Sequence, residues 1–305
     1  MSLLVTGSIG IDTVEAPTGS VVDALGGSSI YFAYAASFFL PVRLVGVVGE
    51  DCPADFLKPL HDNPRIDMTG LEVRRGSKTF RWHGRYHDDV NERDTVAVEL
   101  NVLSEAGPTI PESFRDSRYV FLANTHPELQ LELLGQLQSP ALVVADTMDL
   151  WIQTQPDALE TLMTRLDGLV LNDSEAKLLT GRANVVAAGL EIAKVVRGFV
   201  VVKKGEHGSL LFTDGRVYAM PSYPTMDVVD PTGAGDSFAG AMMGHLAAAD
   251  RVDPATLRWA IAYGTVTASI ELEGFSLRTL LKADREQIDQ RMAEFTDLVH
   301  FANGS

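Results

Sequence analysis

Short apolar runs that alternate with helical patterns, a glycine-rich turn ahead of a small-residue helix, and one stretch of period two predict an α/β protein: a doubly wound, mostly parallel sheet flanked by helices, with a small β-sheet lid. The runs at 3–9, 43–49, 118–123, 141–146, 168–172 and 198–203 are rich in Val, Leu and Ile, as strands buried on both faces are. Helical patterns lie between them at 28–39, 54–62, 128–138, 157–166, 175–180 and 185–196. Two strands around a turn follow at 209–213 and 216–219, then helices at 233–248, 255–272 and from about 284. In the last helix Ile288, Met292, Phe295 and Val299 repeat at helical spacing and are expected in the core.

The alternation of strands and helices breaks at 78–101. There Phe80, Trp82 and Tyr86 fall on one face of a strand, with Arg81, His83, Arg85 and His87 on the other. Val96, Val98 and Leu100 share a face in the next strand. With 13–24 these strands predict a small antiparallel sheet apart from the main one, suited either to cover a site or to form a dimer interface. No repeat, low-complexity tract or linker divides the chain, so one domain is expected over 1–305, its lid formed from about 11–25 and 70–102.

Composition narrows the partners. The 305 residues carry 41 acidic and 25 basic side chains, a net charge of −16, and such a field repels nucleic acid and anionic membranes. No apolar run approaches the ~20 residues of a bilayer span. A single cysteine, Cys52, allows no internal disulfide, and the first residues lack the pattern of a secretory signal, so a cytoplasmic location is expected. Gly7-Ser8-Ile9-Gly10 lacks dinucleotide-binding spacing, and no P-loop occurs. His61, His207 and His245 have no mutual metal-ligand spacing.

The chemistry concentrates in Asp230-Pro231-Thr232-Gly233-Ala234-Gly235-Asp236, which leads into the helix at 233–248. Gly233 and Gly235 let backbone amides approach a ligand, and the helix start presents unpaired N–H groups and a positive dipole end to an anion. Asp236 is repelled by phosphate but can take a proton from a hydroxyl held beside it. An anion cradle with a base is what phosphoryl transfer to an alcohol requires. A glycine turn with an acidic helix cap is the ordinary alternative for a shorter motif of this kind.

The run at 230–238 resembles the C-terminal signature of the ribokinase-like (PfkB) carbohydrate and nucleoside kinases. Weaker motifs occur in that family's order over nearly the whole chain. Gly26-Gly27 resembles its di-glycine hinge, Asn172-Asp173-Ser174-Glu175 its Asn-x-x-Glu, and Lys204-Gly205-Glu206-His207-Gly208 its Gly-x-x-Gly turn beside the nucleotide. The resemblance implies an ATP-dependent phosphotransferase acting on a hydroxyl of a small sugar or nucleoside. Asp236 would be its base, with amides around Gly233, Ala234 and Gly235 stabilising charge. It further implies Asn172, Lys203, Gly205, Gly208 and Thr232 near the nucleotide, and Glu175 toward Mg2+ through water. Asp12, Gly26, Gly27, Tyr31, Arg81 and Asn101 would lie toward the substrate, under the lid. A monovalent cation is left open, as are a homodimer through the lid and a catalytically silent sensor of the same fold.

Each weaker motif also has a plain structural reading: a helix cap for Asn172 to Glu175, a tight turn for Gly205 and Gly208, a loop at Gly26-Gly27, a turn carboxylate for Asp12. Two positions depart from the family pattern. Tyr31 stands near where an Asn commonly contacts substrate, which would shrink the pocket or supply a stacking face for a nucleobase. Lys203 replaces a commonly small hydroxyl residue, adding charge near the phosphates or simply meeting solvent.

Overall fold

The computed structural model describes residues 2–90 and 93–300. The strands are β1 (Leu3–Thr6), β2 (Gly10–Ala16), β3 (Gly19–Gly26), β4 (Val42–Gly49), β5 (Ile66–Arg74), β6 (Phe80–Tyr86), β7 (Arg93–Glu99), β8 (Tyr119–Leu122), β9 (Leu142–Asp146), β10 (Gly168–Asn172), β11 (Phe199–Lys203), β12 (Ser209–Thr213) and β13 (Arg216–Met220). The helices are α1 (Ser28–Ser37), α2 (Lys58–His61), α3 (Pro127–Gly135), α4 (Asp149–Thr154), α5 (Pro156–Met163), α6 (Asp173–Thr180), α7 (Val185–Ile192), α8 (Ala234–Ala249), α9 (Pro254–Glu271) and α10 (Arg285–Val299).

Nine strands form the large sheet in the order β13-β12-β11-β10-β9-β8-β1-β4-β5. The run from β11 to β5 is parallel, and β12 and β13 add an antiparallel edge. Their apolar runs feed both faces, as a doubly covered parallel sheet demands. On one side Val5, Phe121, Val144 and Val201 pack with Phe32 of α1, Met242 of α8 and Ile261 of α9. On the other Leu4, Val120, Val143 and Val200 pack with Leu133 of α3, Leu162 of α5 and Ile192 of α7. In α10, Ile288, Met292 and Phe295 are buried as the spacing requires, and Asp284 caps the helix through the amide of Gln287.

Three expectations change. The helix expected at 54–62 shrinks to α2, because Pro59 is accommodated only in a first turn and so holds the start at Lys58. Residues 70–74, assigned from sequence to the lid, belong to β5, which pairs with β4 in the large sheet. β5 is an edge strand with alternating exposure, and its mixed polar sequence hid it from a search for buried runs. The smaller sheet, ordered β3-β2-β6-β7, is not wholly antiparallel: β2 and β6 run parallel. The chain leaves β3 for α1, β4, α2 and β5 before returning beside β2, and that crossover sets the direction.

Candidate active site

The carboxyl ends of adjacent parallel strands are where an open α/β sheet collects its ligands. Register aligns them here: Asp146 at the end of β9 stands opposite Val170 of β10, and Asn172 at the end of β10 opposite Lys203 of β11. Asn172 caps α6, its Oδ1 accepting from the Glu175 amide at 2.8 Å, while Glu175 Oε2 accepts from the Asn172 amide at 2.7 Å. The capping alternative is thus real, and Glu175 still has an oxygen outside this pair. Burial raises the pKa of Glu175, with Lys203, the Asn172 amide and Arg93 opposing. Asp146 is buried, its Oδ1 has no partner, and burial together with the Asp236 charge pushes its pKa far up.

The glycine run closes this edge. Gly233 adopts φ 83 as the N-cap of α8, a conformation that costs a side chain dearly, and a Cβ there would strike the Tyr31 ring. Tyr31 is 2% exposed and packs beneath the loop, so it offers no free face to a base. Asp230 is buried, accepting from the amides of Thr232 at 2.9 Å and Ser276 at 3.3 Å. The Ala234 amide donates to Pro231 O at 3.2 Å and is already engaged, whereas Gly235 and Asp236 lie in a first helical turn, whose amides lack intrahelical acceptors. A Cβ on Gly235 would stand 2.5 Å from Lys203 Nζ, which fixes that ammonium beside the turn. Withdrawal from water pushes the Asp236 carboxyl up to about 7, with Lys203 and Arg93 pulling it down and Glu175 adding to the rise.

Asp12 enters from β2. It is 4% exposed, its Oδ1 is unpartnered, and its carboxyl packs against Gly26 so closely that any side chain there would clash. Burial, then Asp230 and Asp236, push its pKa up to about 7, with the Gly27 amide opposing. Asp12 stands opposite Trp82 of β6, so the two side chains share one face. Among the described residues three hydrogen bonds fasten this sheet to the segments before α8 and after α9: Thr18 Oγ1 donates to Val229 O at 2.7 Å, Thr232 and Tyr86 join hydroxyls at 3.2 Å, and Ser276 Oγ donates to Leu25 O at 2.6 Å.

The structure therefore brings Asp12, Gly26, Gly27, Asn172, Glu175, Lys203, Thr232, Gly233, Ala234, Gly235 and Asp236 into one neighbourhood at the carboxyl ends of β9, β10 and β11. Gly205 and Gly208 form a tight turn after β11, the Lys204 amide donating to Gly208 O at 2.7 Å. Arg81 does not join them. It alternates with Trp82, lies on the opposite face and pairs with Asp23 at 3.0 Å and Asp51 at 3.8 Å. Asn101 is occupied in a turn, its Nδ2 donating to Thr79 O at 2.9 Å.

Sequence reasoning missed four residues here. Asp146 carried a signal, a carboxylate ending a buried apolar strand. Glu271, the last residue of α9, is fully buried with both oxygens unpartnered, and burial with Asp230 and Asp236 drives its pKa far up. Arg93 of the smaller sheet carried no local signal, because its placement depends on strand register, whereas period two already set Tyr86 on the Trp82 face without a role at the site. Among the described residues no three His, Cys, Asp or Glu side chains are grouped to cage a metal. The hard oxygens of Asp146 and Glu175 do fit Mg2+, which binds through one or two carboxylates plus substrate phosphates.

A doubly wound sheet with a glycine-turn anion cradle, a flanking lysine and buried carboxyls defines the class: a kinase of small hydroxylated molecules. The chain belongs to the pfkB family of carbohydrate kinases, whose family model matches residues 12–283. It is 31% identical over 254 residues to the cytidine kinase of Thermococcus kodakarensis, spanning 80% of this chain and 87% of that one. It is 36% identical over 252 residues to the 2-dehydro-3-deoxygalactonokinase of Haloferax volcanii, spanning 72% and 76% of the two chains. The fold superposes on the Burkholderia thailandensis nucleoside kinase solved with inosine, at a TM-score of 0.77 and 20% identity over 98% of this chain and 99% of that one. The chain is a sugar or nucleoside kinase. Among the described residues no helix is long and apolar enough to cross a membrane.

Proposed function

We propose that this chain transfers the γ-phosphate of ATP to a hydroxyl of a nucleoside, with Asp236 as the base. The observation that carries the reading is the Asp236 carboxyl at the first turn of α8, beside Lys203 Nζ and within electrostatic reach of Asp12, whose Oδ1 is unpartnered. ATP would lie along the Gly205 to Gly208 turn, with its terminal phosphates toward the Gly235 and Asp236 amides and Lys203. As the acceptor oxygen bonds to the γ-phosphorus, Asp236 takes its proton, and the bond to the β-phosphate oxygen breaks to release ADP. Mg2+ on the phosphates, held by Glu175 and Asp146 directly or through water, would offset charge on the transferring group.

The nucleoside preference rests on Asp12 and Trp82. Neighbouring strands hold a hydroxyl-binding carboxyl and an aromatic face side by side, a spacing that suits a ribose and its base. The similarity to a cytidine kinase agrees. The smaller sheet is then the lid of the same domain, and its exposed Val22 and Val96 suit a homodimer through it, which light scattering checks.

A coupled ATP-consumption screen over nucleosides, pentoses, hexoses and sugar acids tests the reading, with Asp236→Asn as control. Turnover with nucleosides that vanishes in the variant supports it. Turnover confined to sugars or sugar acids overturns the nucleoside assignment, and tight binding with no turnover in any class favours a silent sensor.

A further inference from the structure

Two cations draw down the pKa of Asp236, and they come from opposite walls of the cleft. Lys203 stands on the large sheet beside Gly235. Arg93 is the first residue of β7, on the smaller sheet, opposite Tyr86 in the strand register. Its guanidinium carbon lies 5.6 Å from the centroid of the Trp82 ring, on the face that Trp82 shares with Asp12. The Tyr86 hydroxyl touches Thr232, inside the glycine run. Arg93 is therefore carried at the inner rim of the smaller sheet, one strand from the contact that presses this sheet onto the catalytic loop. Its charge also reaches Glu175.

The cleft needs such a charge. Asp12, Asp146, Glu175, Asp230, Asp236 and Glu271 all face inward or lie beneath it, and a triphosphate adds further negative charge. In phosphoryl transfer the burden falls on the three equatorial oxygens of the moving group, and on the large-sheet side Lys203 stands with the first-turn amides of α8. The smaller-sheet side is where the acceptor sits, and a planar guanidinium can grip two oxygens at once.

We propose that Arg93 is a catalytic residue for the transfer step, its guanidinium donating to the equatorial oxygens of the phosphoryl group when the Tyr86–Thr232 contact closes the smaller sheet over the cleft. This rests on the kinase reading. The competing role for Arg93 is a rivet on Trp82 that only steadies the sheet, and the two differ in what they stabilise.

The test compares wild type, Arg93→Met and Arg93→Lys in steady-state turnover with the best acceptor of the screen. It also measures ADP binding in the presence of that acceptor, with and without aluminium fluoride as a mimic of the moving phosphoryl group. Loss of a charge that acts on the transferring group lowers kcat by about 10²–10³ in Arg93→Met, with both KM values within about threefold and partial recovery in Arg93→Lys. The tightening of ADP by fluoride falls by a similar factor, while ADP binding without fluoride is unchanged. A kcat within about twofold of wild type overturns the proposal, as does equal weakening of ADP with and without fluoride, the mark of a rivet. A wild-type chain that consumes no ATP with any acceptor overturns the kinase reading and this proposal with it, whereas an active wild type with an unimpaired Arg93→Met overturns the proposal alone.

Discussion

The carboxyl edge of the large sheet, with Asp12 beside it, and the opposite face of the smaller sheet handle their acidic residues in opposite ways. On the smaller sheet Glu15 is met by Arg85 at 2.7 Å and His83 at 2.8 Å, and Arg85, then His83, hold its pKa below the usual range. At the edge of the large sheet Asp146 sits at the end of a wholly buried strand with one oxygen unpartnered and its pKa far above that range. Asp12 follows the second pattern, with Oδ1 unpartnered and its pKa pushed up to about 7, and the Asp236 carboxyl is likewise pushed up to about 7. A carboxyl satisfied by neighbours serves the fold. One that burial strips of water and leaves without a full set of partners costs stability, and its retention marks a place where a ligand supplies what the protein withholds.

Substitutions on the two sides sharpen this contrast. Asp236→Asn keeps the shape of the turn and removes the base, and turnover at saturating substrate is expected to fall by about 10²–10⁴. Near-normal turnover would remove Asp236 from its role. Asp12→Asn, which weakens a charge-assisted contact to the acceptor, is expected to raise the acceptor KM by about 10–100-fold, read from initial rates over a wide acceptor range. A change in the ATP KM alone would place Asp12 elsewhere. Tyr86→Phe deletes one hydroxyl contact between the sheets, worth about 0.5–1.5 kcal/mol, and kcat/KM is expected to drop about two- to tenfold.

The smallest effect is on stability and depends on pH. The Asp236 carboxyl titrates at about 7 in the folded chain against 3.8 for the free side chain. The folded state therefore favours the protonated form, and the stability this brings is lost as pH rises toward and through the folded value. Asp236→Asn is free of that loss. Its melting temperature is expected to exceed that of wild type by about 2–4 °C at pH 8, with a narrower gap at pH 5, by calorimetry. The reverse trend would show that the carboxylate is stabilised by its neighbours after all.

The large sheet was legible because burial on both faces leaves continuous apolar runs. The strands ending at Asp146, Asn172 and Lys203 were read to their last residue, and the glycine run announced its own turn. The smaller sheet was legible only as alternation. Periodicity grouped Arg81 apart from Trp82 correctly, but it could not tell which face looked inward: Arg81 pairs with Asp23, while Arg93 lies over the Trp82 ring on the face shared with Asp12. A register shift between His83 and Gly84, invisible in a period-two pattern, sets which residues of β7 face Tyr86. Tyr31 misled in another way: it follows Gly26-Gly27 in α1, but its burial beneath Gly233 depends on how α1 and α8 meet.

The parallel pairing of β2 with β6 has a kinetic consequence. Residues that touch across it are separated along the chain by β3, α1, β4, α2 and β5, so closing this pair carries the loop entropy of that intervening chain. The smaller sheet is expected to assemble late, after β1, β4 and β5 have docked. Asp12 and Trp82 then meet only in the last step of folding, so a chain halted before it keeps the core of the large sheet and lacks the surface proposed to receive the acceptor.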